Sequence, residues 1–197
     1  IIIPSISMGI SEINNLLMSD DVLHTLSAFK TLGVKIEKSN DKIIIYGKGL
    51  NSLKKPKSSI YLGNSGTSAR LLTGLLASQT FESILEGDHS LSSRPMGRIM
   101  DPLKLMGAEF ENISGTLPLK IIGKKLNKSK IEIEIPSAQI KSGLILASLN
   151  IEGISHIIEK NTTRDHTENM LKSFGADINV EKKNNQTSIY IKGKQEL

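Results

Sequence analysis

In three segments of the chain, hydrophobic and polar positions alternate first with the period of a helix and then with the period of a strand. The three segments begin at Ser19, Ser93 and Thr163. Each predicts a helix, then a glycine that ends the helix in the left-handed conformation, then a strand; these glycines are Gly33, Gly107 and Gly175. A second strand-like run follows each segment, at residues 43–46, 117–122 and 188–191. We expect hairpins, the first with its turn at 39–41 and the last at 183–185.

A further helix is predicted ahead of the second and third segments, at 67–78 and 137–149, each between two strand candidates. The strands that follow these helices are expected at 81–85 and 155–158. The repeated unit is therefore β-α-β-α-β-β, with units of roughly 1–50, 58–123 and 130–193. Only the latter part of the unit is visible in the first copy, where residues 1–7 are interpreted as the end of a shortened helix.

The apolar helices predict how these units pack. The run GLILASL is apolar nearly all round, which indicates a helix buried in the interior and not one covering a sheet. Three units around a shared helical centre predict one domain over 1–197, of the α/β (α+β) class.

Composition removes several classes of function. The chain has 197 residues, 38% hydrophobic and 23% charged, which is ordinary for a globular protein. It has no cysteine, which excludes disulfides, thiolate metal sites and cysteine nucleophiles and fits a reducing compartment.

The net charge of +5 comes from lysines clustered in predicted loops, so we expect no nucleic-acid partner. No apolar run has the length of a membrane span. Because the chain does not begin with Met, we expect a fragment.

The sequence LGNSGTSARLL, residues 62–72, joins a polar turn around a glycine to a helix. The first N–H groups of a helix have no partner within it and lie at its positive end, so residues 64–67 could offer donors to a phosphate or carboxylate. Gly66 would let such a ligand approach the backbone. The alternative is an ordinary capped helix start, with Asn64 or Ser65 as N-cap and the leucines as core.

The four arginines stand in or beside the polar segments, whereas 21 lysines supply the general positive charge; they are Arg70, Arg94, Arg98 and Arg164. Arg94 precedes Pro95, and a proline at the first helical position would fix the arginine at the mouth of that helix. The alternative for Arg94 is a surface pair with Asp88. Arg98 is expected in a structural ion pair, and Arg70 could either brace the turn or touch a ligand. His89 and His166 have no partners at metal-ligand spacing.

Four ordered motifs resemble the enolpyruvyl transferases, most closely the EPSP synthase family. They are LGNSGTSARLL, the segment 87–108, PSAQIKSGLILASL and NTTRDHTENMLKSFGA, and together they span almost the entire chain. The resemblance implies two similar domains, each of three βαβαββ units with helices inside and sheets outside, with substrates in the cleft between them. This chain resembles the first domain, with its first unit truncated. The resemblance implies a Lys-Ser-x-x-x-Arg segment ahead of Ile1 and a second domain that supplies the acid/base groups, and we expect both to lie outside these 197 residues.

The resemblance also implies ligands: phosphoenolpyruvate, whose enolpyruvyl group is transferred, and shikimate 3-phosphate, whose 5-hydroxyl receives it. Matching positions imply phosphoenolpyruvate contacts at Asn64, Gly66, Thr67, Arg94 and Gln139. They imply shikimate 3-phosphate contacts at Ser137, Ala138, Gln139 and Arg164. No catalytic residue, metal or cofactor is expected in this chain.

These motifs also imply properties of the intact protein. We expect it to be a cytoplasmic enzyme of the shikimate pathway and a monomer, and we expect this fragment to be inactive alone. Gly66 stands where glyphosate-tolerant relatives carry alanine, which implies sensitivity. Two alternatives remain: a non-catalytic or decayed phosphate-binding domain, and the sister enzyme acting on UDP-N-acetylglucosamine, which the lack of cysteine disfavours.

Overall fold

The computed structural model describes residues 1–39, 41–112 and 114–197. Its first part holds α1 (Ile2–Ile6), β1 (Met8–Asn14), α2 (Asp20–Thr31), β2 (Lys35–Ser39) and β3 (Lys42–Lys48). The middle part holds β4 (Ile60–Tyr61), α3 (Gly66–Ala77), β5 (Glu82–Glu86), α4 (His89–Ser92), α5 (Gly97–Leu105), β6 (Glu109–Glu111) and β7 (Leu119–Ile122). The last part holds β8 (Lys130–Ile133), α6 (Ala138–Ser148), β9 (Ile154–Glu159), α7 (His166–Ser173), β10 (Ile178–Lys183) and β11 (Gln186–Lys192). Asn40, within the predicted turn at 39–41, lies outside the described residues.

Three sheets repeat one topology. Their strand orders are β1-β3-β2, β4-β5-β7-β6 and β8-β9-β11-β10. The hairpin strands pair antiparallel, whereas β4 runs parallel to β5 and β8 parallel to β9. The first sheet has three strands among the described residues, and β1 holds the position that β5 and β9 hold in the others. The mixed α/β class and the repeated unit predicted from the periodicity are thus confirmed.

Glycines end the second helix of each unit, as predicted. Gly33, Gly107 and Gly175 have φ values of +87°, +93° and +92°, in the left-handed region that side-chain-bearing residues rarely adopt. The strand that follows then turns back along its helix. In β3 and β11 alternate residues are buried, so one face of each sheet covers the helices and the other faces outward.

The core is built on α3 and α6, which pack in parallel. Residues 140–148 of α6 are all buried, which confirms the prediction from its apolar sequence. A Cβ on Gly74 of α3 would lie 1.9 Å from the carbonyl oxygen of Gly143 in α6, so the two glycines let the helix backbones touch. The second helices of the three units, α2, α5 and α7, bury only part of their surface. Within the described ranges, no helix is long and apolar enough to cross a membrane.

Candidate anion-binding site

The parallel packing of α3 and α6 brings their N-terminal ends together on one face. Gln139, in the first turn of α6, donates a 2.9 Å hydrogen bond from Nε2 to Thr67 Oγ1, in the first turn of α3. At the other end, Asn150 Nδ2 donates to the carbonyl oxygen of Ser78 at 3.4 Å. The same offset of 72 residues joins both pairs, so the helices run side by side in register. Both positive helix ends therefore face the same region.

The start of α3 is held by a chain of hydroxyl groups. Ser65 is the N-cap, and its Oγ accepts from the Ser68 N–H at 3.2 Å. Ser65 Oγ and Ser68 Oγ lie 2.8 Å apart, and Thr25 Oγ1 of α2 lies 2.7 Å from Ser68 Oγ. Of the two residues considered as cap, Ser65 takes the role. The N–H of Thr67 has no acceptor among the described residues, which leaves it available to a ligand.

Asn64 holds Arg94 beside this helix start. The Asn64 Oδ1 accepts from Arg94 Nη2, and its Nδ2 donates to Asp88 Oδ2 at 3.0 Å. Asp88 in turn caps α4 by accepting from the Leu91 N–H at 2.7 Å. This hydrogen bond first, and the Asn64 amide second, lower the pKa of Asp88. Arg94 is thus linked to Asp88 through Asn64 and does not form the direct pair considered as an alternative.

Arg70, one turn into α3, is hydrogen-bonded to the start of the same helix. Its Nη1 donates to the carbonyl oxygen of Gly66 at 3.0 Å, and its Nη2 lies 3.5 Å from that of Pro95. A Cβ on Gly66 would lie 2.9 Å from Arg70 Nη1 and 3.0 Å from Arg94 Nη1, so both guanidinium groups converge on this glycine. Burial, and then the positive charges of Arg94 and Arg98, lower the pKa of Arg70.

These arginines form no direct ion pair in the described part of the chain. The ion pairs found there all involve lysines, and no carboxylate lies within 4.0 Å of any arginine. The structural ion pair expected for Arg98 is therefore wrong: Arg98 is exposed, and the nearby Asp101 pairs with Lys104 at 3.3 Å. Clustered guanidinium groups that form no ion pair with a carboxylate are suited to binding an anion.

The expectation for Pro95 is also wrong. Helix α5 begins at Gly97 with Met96 as N-cap, so Pro95 precedes the helix and Arg94 lies just after the end of α4. The Met96 N–H donates to the carbonyl oxygen of Gly115 at 2.8 Å, outside the helix. Arg94 is positioned by Asn64 instead.

The start of α6 provides the second set of predicted residues. Ser137 is the N-cap, and its Oγ accepts from the Ile140 N–H at 3.4 Å. The N–H groups of Ala138 and Gln139 have no acceptor among the described residues, as expected for the first turn of a helix. Ser137, Ala138 and Gln139 are half-buried and border solvent.

Arg164 reaches the same end of α6 through its backbone. Its carbonyl oxygen accepts a 2.8 Å hydrogen bond from Lys141 Nζ, in the first turn of α6, while its side chain is exposed. The neighbouring Asp165 pairs with Lys182 at 3.3 Å. In the described residues no hydrogen bond joins the Arg164 guanidinium to the group around Arg94.

Lys141 is the residue that sequence reasoning missed. It is 1% exposed and lies between Glu159 and Glu168, which are equally buried. The available signal was a lysine within an otherwise apolar helix, because a buried lysine needs carboxylates nearby.

The site is an open face. A cavity of 380 Å³ lies elsewhere, between α5 and β8, and none of the predicted ligand residues lines it. The described residues contain no group of three or more His, Asp or Glu side chains that could hold a metal ion.

Comparison with known proteins shows the family to which the chain belongs. A family model described as EPSP synthase (3-phosphoshikimate 1-carboxyvinyltransferase) matches residues 1–197. The chain belongs to the EPSP synthase family. A 3-phosphoshikimate 1-carboxyvinyltransferase of Caldicellulosiruptor bescii is 52% identical over 181 residues, which cover 90% of this chain and 42% of that protein. Its counterpart from Ruthia magnifica subsp. Calyptogena magnifica is 51% identical over 183 residues, 92% of this chain and 42% of that protein.

A solved EPSP synthase extends the comparison to the fold. The structure from Acinetobacter baumannii superposes with a TM-score of 0.93 at 43% identity, over 100% of this chain and 44% of that one. The predicted resemblance to the EPSP synthase fold is thus confirmed. The chain spans less than half the length of these relatives.

Proposed function

We propose that this chain forms one wall of the active site of an enzyme that transfers the enolpyruvyl group of phosphoenolpyruvate to the 5-hydroxyl of shikimate 3-phosphate. The observation that carries the proposal is the Gln139–Thr67 hydrogen bond, which joins two parallel helix starts beside arginines that have no carboxylate partner in the described residues. Both substrates are polyanions, and this face offers cations and N–H donors to both.

The reaction explains why such a face is needed. The 5-hydroxyl oxygen adds to C2 of phosphoenolpyruvate while a proton goes to C3; loss of a C3 proton and of inorganic phosphate then leaves the enolpyruvyl ether. Fixed positive groups gather the two anions and stabilise the phosphate as it leaves. The proton transfers need an acid and a base, which we assign to protein outside this chain, because the relatives are more than twice as long.

The phosphoenolpyruvate part of the proposed site lies around α3. Arg94 would bind the anion as a bidentate donor, and the Thr67 N–H would add a donor from the helix start. Gly66 lets the two guanidinium groups lie close to the helix start, because it carries no side chain. Asn64 orients Arg94, and Gln139 reaches the same region from α6.

The shikimate 3-phosphate part lies around α6. The Ser137 hydroxyl and the N–H groups of Ala138 and Gln139 are directed out of the helix start, where a phosphate is favoured by the helix dipole. Arg164 would add the charge-assisted contact, since its backbone is tied to the first turn of α6 and its side chain is exposed.

We further propose that residues 1–197 fold as one domain of a two-domain, monomeric protein of the cytoplasm, with the substrates in the cleft between the domains. On this proposal the chain alone binds shikimate 3-phosphate weakly and does not catalyse transfer. Its open face supports this, because an active site that stabilises developing charge must exclude water on all sides.

An NMR titration of the 197-residue chain tests the proposal. Shikimate 3-phosphate should shift the amide resonances of Ser137, Gln139 and Arg164, and unphosphorylated shikimate should shift them far less at the same concentration. A coupled assay for phosphate release from both substrates should give no turnover. Turnover by this chain would contradict its assignment as half a site, and the absence of any shift would favour a decayed domain that no longer binds.

A further inference from the structure

We propose that Lys141 is a positioning residue for substrate binding, because it fixes the backbone of Arg164 against the start of α6. This inference rests on the proposed function, in which Arg164 binds the phosphate of shikimate 3-phosphate. Lys141 itself is 1% exposed and cannot meet a ligand.

Three contacts connect Lys141 to three separate elements. Its Nζ donates to Glu159 Oε2 at 3.0 Å, at the end of β9, and to the Arg164 carbonyl oxygen at 2.8 Å, in the following loop. The same nitrogen lies 2.8 Å from Glu168 Oε1 in α7, as an ion pair without hydrogen-bond geometry. One ammonium group thus joins α6 to the strand, loop and helix that carry Arg164.

The loop is tied to this cluster at further points. Thr163 Oγ1 donates to Glu159 Oε1, and the Thr163 N–H lies 3.5 Å from Glu159 Oε2. On the other side, Ser142 Oγ and Thr167 Oγ1 lie 2.7 Å apart. Arg164 is therefore held on both sides, and only its side chain is left exposed.

Stability alone gives little reason for this cluster. Burying two carboxylates and a lysine costs desolvation free energy. Proteins in which apolar residues of similar size replace such a cluster are often equally stable or more stable. An apolar side chain at position 141 could fill the same volume, but it could not donate to the Arg164 carbonyl. Lys141 therefore fixes the position of the Arg164 backbone relative to Ser137 and Gln139. Because the backbone is ordered before the ligand arrives, less conformational entropy is lost on binding.

A double-mutant cycle in the 197-residue chain tests this role, with shikimate 3-phosphate as the probe and calorimetry or NMR as the measurement. Arg164→Ala should weaken binding about tenfold or more, as expected for a charged hydrogen bond. Lys141→Met should weaken it about tenfold in the original chain, and less than about twofold when Arg164 is already alanine. The Arg164 carbonyl carbon resonance should shift in Lys141→Met without ligand.

A second variant keeps the test decisive if Lys141→Met does not fold, which is a risk because it leaves Glu159 and Glu168 buried without a cation. Lys141→Met combined with Glu159→Gln and Glu168→Gln removes the buried charges together and still lacks the donor to Arg164. It should show the same loss of affinity and the same carbonyl shift.

The outcomes separate the two proposals. If the unchanged chain does not bind shikimate 3-phosphate, the proposed function fails and this inference fails with it. If it binds, and the losses from Lys141→Met and Arg164→Ala simply add, the proposed function stands and the positioning role of Lys141 is overturned.

Discussion

Gln139 and Thr67 lie 72 residues apart, and their side chains meet in a 2.9 Å hydrogen bond between the first turns of two parallel helices. Because the bond connects equivalent positions of two repeated units, it combines two helix starts into one face. Each start alone is an ordinary capped helix, with Ser65 and Ser137 as the caps.

Removing one side of this bond should weaken ligand binding with little effect on folding. We expect Thr67→Val to lower the affinity for shikimate 3-phosphate by about two- to tenfold, because Gln139 loses the acceptor that orients it. The free energy of unfolding should change by less than about 1 kcal/mol, since both residues border solvent. Calorimetric titration and urea unfolding measure the two effects. A large loss of stability would assign the bond to the core and not to the site.

The contact between α3 and α6 predicts that alanine substitution at two glycines of α3 has unequal effects on stability. A Cβ on Gly74 would lie 1.9 Å from the Gly143 carbonyl oxygen, and backbone cannot move aside without separating the helices. We therefore expect Gly74→Ala to lower the free energy of unfolding by about 2–3 kcal/mol, as in an overpacked core. Urea unfolding of the 197-residue chain measures this.

Gly66→Ala is the matched control. Its Cβ would come too close to the ends of the flexible Arg70 and Arg94 side chains, at 2.9 and 3.0 Å, but these can shift. Its stability should stay within about 1 kcal/mol of the original, while binding of phosphoenolpyruvate should be altered. If Gly74→Ala proved as stable as Gly66→Ala, the close packing of α3 on α6 would be wrong.

Sequence patterns predict the elements of this fold well, because local physical preferences determine them. The glycine after each second helix must adopt a left-handed conformation, and the apolar α6 must be buried, so both could be inferred without coordinates. Strand order could not, because β9 meets β8 and β11 through long-range pairing. The resemblance to a known family implied helices inside and sheets outside, but the order of strands within each sheet is seen only in the structure.

The site residues were predicted by resemblance, but their contacts were not. Pro95 is predicted at the first position of a helix, whereas α5 begins two residues later, at Gly97. Lys141 was overlooked because an isolated lysine in a sequence is usually solvated, and the carboxylates that bury it, Glu159 and Glu168, come from distant segments.

Asp88 predicts a pH dependence of stability. The Leu91 N–H first, and the Asn64 amide second, lower the pKa of Asp88 from its ordinary 3.8. A carboxyl group whose pKa is lowered by folding contributes stability above its unfolded pKa, and this contribution is lost as the pH falls through the folded value. Asp88→Asn keeps a capping residue but removes the charge.

We therefore expect the original chain to be more stable than Asp88→Asn above about pH 5, with the difference vanishing as the pH falls below the folded pKa. Urea unfolding between pH 7 and pH 3 measures the difference at each pH. A constant difference over the whole range would show that the charge of Asp88 does not support the Asn64–Arg94 arrangement.

Arg94 should carry the anion binding of the α3 start, and Arg98 should not. Arg94 is oriented by Asn64 and converges with Arg70 on Gly66, whereas Arg98 is exposed and has no such support. We expect Arg94→Gln to weaken binding of phosphoenolpyruvate about tenfold or more, and Arg98→Gln to change it less than about twofold. The Gly66 amide resonance reports binding in an NMR titration of each variant.

Salt provides an independent check on the same residue. Raising the ionic strength from about 0.01 to 0.15 M shortens the screening length from about 30 to 8 Å, so affinity for the anion should fall. Because Arg94 supplies much of the charge that the ligand meets, the fall should be smaller in Arg94→Gln and unchanged in Arg98→Gln. Equal salt dependence in all three chains would mean that the general positive charge of the lysines, and not a built site at Gly66, attracts the anion.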